Sequence, residues 1–163
     1  MTRILSDPAI HALLTVPKVL PADFRTQIAL KVANRNERSD LDVFGSEGSR
    51  FRLMLRRAEL NPLDFSVVLG YLFPDTNSLI LLRRYNGKSH EHRNRLERHP
   101  PFYEYHIHTA TERYQFAAGY RPEHFAEVTN RYADLTGALL CMLDDCGFVV
   151  PDDPQTSLFG DRV

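Results

Sequence analysis

Five of the seven histidines lie between Leu79 and Tyr114, together with seven of the twenty lysine and arginine residues. Histidine has an unperturbed pKa of about 6.5, so it can accept or donate a proton at neutral pH. Cleavage of RNA without a metal needs a base for the 2′-OH proton, an acid for the leaving 5′-oxygen and cations for the phosphate. All three kinds of group occur here. The residues that we predict to be catalytic are His90, His92, His106, His108 and Lys88.

Other side chains of the same stretch are suited to holding a polynucleotide. Its seven cations and four acids leave a formal charge of +3, and since the whole chain carries −1, the remaining residues sum to −4. Any electrostatic attraction to RNA is therefore local. Arginine can bind a phosphate through two parallel hydrogen bonds, and tyrosine can stack on unpaired bases. The predicted phosphate-binding or RNA-binding residues are Arg84, Arg93, Arg113, Tyr85 and Tyr105.

A metal site is the second interpretation. His106 and His108 alternate onto one face of a strand, and Glu112 follows four residues later. This spacing, with Gly119 seven residues further on, resembles the first metal-binding motif of the cupin family. The resemblance implies one divalent metal ion held by two imidazoles and a carboxylate, with open positions for a small-molecule substrate. The chain departs from the family at Pro100, where the family has a glycine, and it lacks the second cupin motif.

A third interpretation needs no catalysis. The predicted strand that ends at Arg56 places Arg52 and Arg56 on one face, and Arg84 follows in a later strand. Such a basic face could dock an acidic partner, and the acidic region from Asp144 to Asp153 could cover it in the free protein. The protein would then be a non-catalytic binding module.

A family resemblance favours the RNA-directed interpretation. Tyr85-Asn86-Gly87-Lys88, then His90-Glu91-His92 and, after a polar gap, Phe102-Tyr103-Glu104-Tyr105 resemble the core of TumE-like toxins of bacterial toxin–antitoxin modules. The resemblance covers about a quarter of the chain. It implies a small α+β protein that interferes with RNA or translation and has an antitoxin protein as its partner. The stretch is also similar to uncharacterised bacterial proteins whose strand carries a His-x-His pair.

The elements that must position these residues follow from periodicity. Alternation of apolar and polar residues predicts strands, and apolar residues three and four apart between Pro122 and Cys146 predict a long helix. We predict an α+β fold in which an antiparallel sheet of five or six strands is packed on one face by the long C-terminal helix. The predicted single domain, 1–163, comprises an N-terminal helix and lead-in (1–24), the sheet (25–114) with a polar loop (86–101), the helix (122–147) and a tail (148–163).

Composition sets the class of protein. A chain of 163 residues with 43% hydrophobic and 25% charged residues is typical of one globular domain. Cys141 and Cys146 are five residues apart in the predicted helix, which argues against a mutual disulfide and favours a reducing cytoplasm. No window has the roughly 18–20 apolar residues of a membrane span, and the N-terminus does not resemble a signal peptide.

Overall fold

Nine strands and four helices form within residues 3–151, the part of the chain that the computed structural model describes. The strands are β1 (Lys18–Val19), β2 (Lys31–Ala33), β3 (Asn36–Phe44), β4 (Arg50–Ala58), β5 (Phe65–Leu72), β6 (Leu79–Asn86), β7 (His106–Thr109), β8 (Ala126–Val128) and β9 (Phe148–Val149). The helices are α1 (Asp7–Thr15), α2 (Phe24–Gln27), α3 (Glu112–Phe116) and α4 (Leu135–Asp145).

Strands β2 to β8 form one antiparallel sheet in which each strand pairs with the next one along the chain. The predicted antiparallel α+β fold is confirmed in this coarse sense. The predicted number of five or six strands is too low, because the sheet has seven. Strand β8 was missed, because it has only three residues, too few for alternation to reveal it, and lies within the predicted helix.

Alternation along the strands gives the sheet two different faces. One face is apolar: Phe51, Leu53 and Leu55 of β4 are buried in the core that also contains Leu139 and Met142 of α4. The other face carries the alternate residues of the same strands and is polar. A set of aligned residues on that face joins five neighbouring strands: Arg38, Arg56, Ser66, Asn86 and His106.

The predicted helix from 122 to 147 is wrong over its first half. Only Leu135–Asp145 is helical, and Asp134 begins it as the N-cap, its Oδ1 accepting from the Gly137 backbone N–H at 2.7 Å. The segment before the cap contributes β8, which pairs with β7. The apolar residues of 122–134 matched a helical spacing, yet β8 pairs with the edge of β7, whose backbone groups would otherwise lack a partner strand.

Two further boundaries differ from the sequence prediction. The sheet was predicted to begin at 25, where the structure has α2 followed by β2. The polar run after Val32 is a hairpin in which Asn34 and Arg35 take positive φ angles of 50° and 66° and β3 begins at Asn36. Two residues with positive φ are the usual hairpin turn. Its charged residues pair across strands, as Glu37 does with Arg57, so polarity did not prevent strand formation.

The start of the strand that ends at Thr109 and the conformation of the C-terminal tail also differ from the prediction. Regular pairing starts at His106, so 102–105 lies outside β7. In the tail, Phe148 and Val149 form β9, which pairs in parallel with β1, while 152–163 lies outside the described residues. Cys141 and Cys146 are free thiols, as predicted. Within residues 3–151, no helix has the length and apolar character needed to traverse a lipid bilayer.

Candidate active site

Strand β7 places two histidines on the polar face of the sheet. His106 and His108 are two residues apart, so their side chains emerge on the same side, and both are buried. Their cross-strand neighbours on β6 are Asn86 and Arg84, respectively. The local reason is pairing on both edges, because β7 lies between β6 and β8 and cannot rotate about its own axis.

The polar loop between β6 and β7 folds back over these histidines. His92 and Phe102 form an isolated antiparallel bridge in which each backbone N–H donates to the other's carbonyl at 2.9 Å. The buried amide of Asn94 then binds the backbone of Ala126, donating from Nδ2 at 2.7 Å and accepting at Oδ1 from the Ala126 N–H at 2.8 Å. This side chain therefore anchors the loop to the outer edge of the sheet.

Five imidazoles come together as a result, and we call them the imidazole cluster. His92 has ring centroids 4.7 Å from His108 and 4.9 Å from His124, and His106 lies 4.9 Å from His108. His90 covers His106 edge-on at 5.4 Å. The four predicted catalytic histidines are therefore neighbours in space. The members of the cluster are His90, His92, His106, His108 and His124.

Hydrogen bonds to main-chain carbonyls define the tautomers of the two strand histidines. His106 donates from Nδ1 to the Glu104 carbonyl at 2.8 Å, and His108 donates from Nδ1 to the His124 carbonyl at 3.1 Å. A carbonyl can only accept, so Nδ1 bears the hydrogen in both rings. Nε2 is then the lone-pair nitrogen, and in His106 it accepts from Nδ2 of Asn86 at 3.4 Å.

Burial makes the inner imidazoles neutral at physiological pH. Burial is the main cause, together with the neighbouring imidazoles and Arg84, and it lowers the pKa of His106 to about 4 and the pKa of His108 to about 2. The pKa of His92 is also lowered, mainly by burial. Because a general acid must hold a proton near neutral pH, His106 and His108 are unsuited to that role.

A cavity of about 280 Å³ opens beside the cluster. Two ion pairs stand in its wall: Arg84 donates to Glu123 at 2.9 Å, and Arg56 pairs with Asp64. The guanidinium of Arg84 retains further N–H donors beyond the one used by Glu123. We call this the imidazole cavity, and the residues that line it are Arg56, Asp64, Phe65, Ser66, Arg84, Asn86, His90, His92, His108, Arg121, Glu123 and His124.

Several predicted site residues lie away from the imidazole cavity. Lys88 sits 5.3 Å from the ring of Tyr105, beside a separate surface hollow. The Tyr105 ring packs on Phe65 and Tyr132, and its hydroxyl donates to the Ala133 carbonyl at 3.0 Å. Arg93 donates from Nε to the His99 carbonyl. Arg113 lies in α3 and pairs with Glu97 at 3.1 Å. Of the predicted phosphate-binding arginines, only Arg84 lines the cavity.

Tyr85 is on the wrong face of the sheet for stacking on bases. It is fully buried in the core, and its hydroxyl donates to Oδ2 of Asp145 at 2.6 Å. Alternation explains the error, since Arg84 and Asn86 on either side point to the polar face and Tyr85 must point to the other. Residues that are adjacent in the sequence motif therefore lie on opposite faces of the sheet.

The cupin-like metal set is not assembled. Glu112 begins α3, where its backbone N–H is bonded to Asp7. Among residues 3–151, no three His, Cys, Asp or Glu side chains are placed to hold a metal ion together. Helix α3, which follows the N-cap Thr111, turns the chain away from the direction of β7 and so removes the strand geometry on which the spacing argument relied.

Three site residues received no role from the sequence alone, and a fourth, His124, could be recruited only if the start of the predicted helix folded back over the strand. Asn86 contacts His106, Glu123 pairs with Arg84, Asn94 anchors the loop, and His124 joins the cluster through a bond from Nε2 to the Arg93 carbonyl at 3.0 Å. His124 and Glu123 were hidden because 122–134 was predicted to be helical. Buried Asn94 had one available signal, a residue of strong turn preference within a loop rich in charged side chains.

The fold and the cluster define the class of site as a sheet-borne, histidine-rich cavity with arginine in its wall. Comparisons with protein-family models, with curated proteins and with solved structures find no match to this chain.

Proposed function

We propose that this protein is an RNA-directed endoribonuclease of the toxin type that acts without a metal ion. The observation that carries the proposal is that four imidazoles and Arg84 line one cavity, and that the fifth imidazole, His106, packs against them. Cleavage by the 2′-OH of RNA needs paired proton transfers and a cation at the phosphate, and these are the groups that line the cavity. Cytoplasmic RNA is the substrate that this function implies.

The burial of each imidazole determines the role in catalysis that we assign to it. His92 is half-buried, donates from Nε2 to Oδ1 of Asn94 at 3.0 Å and keeps Nδ1 as a lone pair, so it is the general base. His90 is exposed beside His106 and supplies the proton for the leaving oxygen. The neutral ring of His108 lines the cavity, where it accepts a hydrogen bond and orients the reacting ribose, and His106, whose Nε2 already accepts from Asn86, packs against His108. Arg84 and Arg121 hold the phosphate.

The experiment uses a labelled single-stranded RNA in the presence of EDTA. We expect cleavage that leaves a 2′,3′-cyclic phosphate, with no cleavage of the DNA of the same sequence because DNA lacks the 2′-OH. His90→Ala and His92→Ala should each lower the rate by about 10²-fold or more. His11→Ala, at an exposed histidine of α1, is the matched control and should keep the wild-type rate.

Expression in a bacterium gives an independent readout. We expect the wild-type protein to arrest growth and His92→Ala to relieve the arrest at equal protein level. Absence of RNA cleavage by the purified protein, or equal cleavage of DNA and RNA, rejects the proposal.

A metal-dependent enzyme is the second candidate, and one observation favours it. His106, His108 and His124 each donate one ring N–H to a backbone carbonyl, which is the usual arrangement around a histidine that binds a metal. Ring rotation would be required, since no such set is already placed within residues 3–151. Near-stoichiometric zinc, manganese, nickel or iron in protein purified without a tag, with activity lost in EDTA, would select this candidate.

A further inference from the structure

A row of cations crosses the polar face of the sheet and ends at the imidazole cluster. Lys31 of β2 lies directly opposite Arg38 of β3, and Arg38 lies directly opposite Arg56 of β4. The register continues through Ser66 and Asn86 to His106. We call this set the cross-strand row, and its members are Lys31, Arg38, Arg56, Ser66, Asn86 and His106.

Like charges directly opposite each other destabilise a sheet, so three in succession have a cost. Arg56 is compensated by Asp64 and by Oδ1 of Asn36 at 3.0 Å. Lys31 and Arg38 have no carboxylate within ion-pair distance among residues 3–151. The positive charges of Lys31 and Arg38, at the outer end of the row, are therefore not compensated by a carboxylate of the described residues.

The row lies in a groove that opens into the imidazole cavity. A hollow of about 640 Å³ is lined by Lys31, Arg38, Arg56 and Arg84, with Asp40 as its one carboxylate. It shares Arg56, Ser66 and Arg84 with the imidazole cavity. Four strand spacings separate Arg38 from His106, which is about 19 Å along the groove. That length exceeds one nucleotide, so a ligand reaching both ends must be a chain.

We propose that the cross-strand row binds the backbone phosphates of single-stranded RNA and leads the scissile bond to the imidazole cluster. The inference rests on the proposed function, because only a cleavage site at the imidazole cluster defines the direction in which the RNA strand lies along the groove. Proteins that bind single-stranded nucleic acids use a positively charged groove that follows the path of the nucleic-acid backbone. An acidic protein segment is the competing occupant, and continuity of the groove with the imidazole cavity favours RNA over it.

The experiment separates binding from chemistry. Fluorescence anisotropy is measured with a 2′-O-methyl oligonucleotide of about twelve nucleotides, which cannot be cleaved through its 2′ position. Lys31→Ala/Arg38→Ala should weaken binding by about tenfold or more, and the slope of log affinity against log salt should become shallower by about 1.4. Cleavage of a dinucleotide, which is too short to reach Lys31 and Arg38, should keep its wild-type rate.

The control replaces two other cations, Arg57→Ala/Arg113→Ala. Arg57 is on the same strand as Arg56 but on the opposite face, and Arg113 is in α3. This variant has the same net charge as the test variant and should retain affinity for the oligonucleotide. Thermal unfolding provides a check of the fold, because removal of opposed like charges should leave the stability of the test variant unchanged or higher.

Three results overturn the inference: unchanged affinity of the test variant, equal loss in the control variant, or displacement of the oligonucleotide by polyglutamate as readily as by unlabelled RNA. The last result would assign the groove to acidic proteins. If the wild-type protein cleaves no RNA, the proposed function fails while the anisotropy comparison still decides whether the row binds RNA.

Discussion

Asn86 and His106 are direct cross-strand neighbours, and the amide of Asn86 donates to Nε2 of His106 at 3.4 Å. The opposite ring nitrogen donates to the Glu104 carbonyl, so the imidazole is neutral in this arrangement. The other amide atom, Oδ1 of Asn86, is buried and has no hydrogen-bond partner within residues 3–151. Asn86 thus stabilises one tautomer of His106 and lines the imidazole cavity.

Replacing this amide should change the titration of His106. In Asn86→Asp, a carboxylate next to the ring favours the imidazolium, so the pKa of His106 should rise above its wild-type value of about 4. The measurement is an NMR titration of the histidine ring protons. Asn130→Asp, at an exposed asparagine, is the control and should leave the His106 titration unchanged. An unaltered His106 pKa in Asn86→Asp would contradict the contact.

Acid should destabilise the folded protein through the inner histidines. The pKa of His106 is lowered by burial to about 4, so between about pH 6.5 and about pH 4 the unfolded chain binds the proton and the folded chain does not. The free energy of unfolding is therefore highest above pH 6.5 and falls as the pH decreases through this window. His106 alone should account for about 3 kcal/mol. His108, whose pKa is lowered further, acts in the same direction.

Urea denaturation at about pH 7 and about pH 5 measures this effect. His106→Asn removes one titrating group, so its loss of stability between the two pH values should be smaller than in the wild type. His11→Asn, in α1, should lose as much as the wild type. Equal losses in all three proteins would show that His106 does not contribute to the acid sensitivity.

Substitutions of the adjacent residues Tyr85 and Arg84 should affect different properties, the stability of the fold and the affinity for RNA, respectively. Tyr85→Phe removes the bond to Asp145 in the core, so the free energy of unfolding should fall by about 1–2 kcal/mol while RNA affinity is unchanged. Arg84→Ala should weaken RNA binding by about tenfold, because its guanidinium lines the imidazole cavity. Denaturation and anisotropy of both variants check this. Loss of RNA affinity in Tyr85→Phe would place Tyr85 in the site after all.

Local patterns predicted the strands that are long and half-buried. Arg50–Ala58 alternates apolar and charged residues, and His106 and His108 share a face for the same reason. Local patterns failed where the conformation of a segment depends on the segment with which it pairs. Ala126–Val128 is a strand because the edge of β7 is open to it, and its apolar spacing suits a helix equally well. Tyr132 supports this edge by donating to the carbonyls of Asn86 and His106.

The sequence by itself determined that histidine, arginine and lysine are concentrated in one stretch, and that His106 and His108 emerge on one side of a strand, because side-chain direction in a strand depends only on position along it. Only the tertiary structure decided which groups meet. His92 reaches His108 through its bridge to Phe102, His124 arrives from a segment after β7, and Lys88 and Tyr85 are excluded. Periodicity specifies the face of each residue, whereas contacts between distant segments depend on which backbone groups and cavities are left to fill.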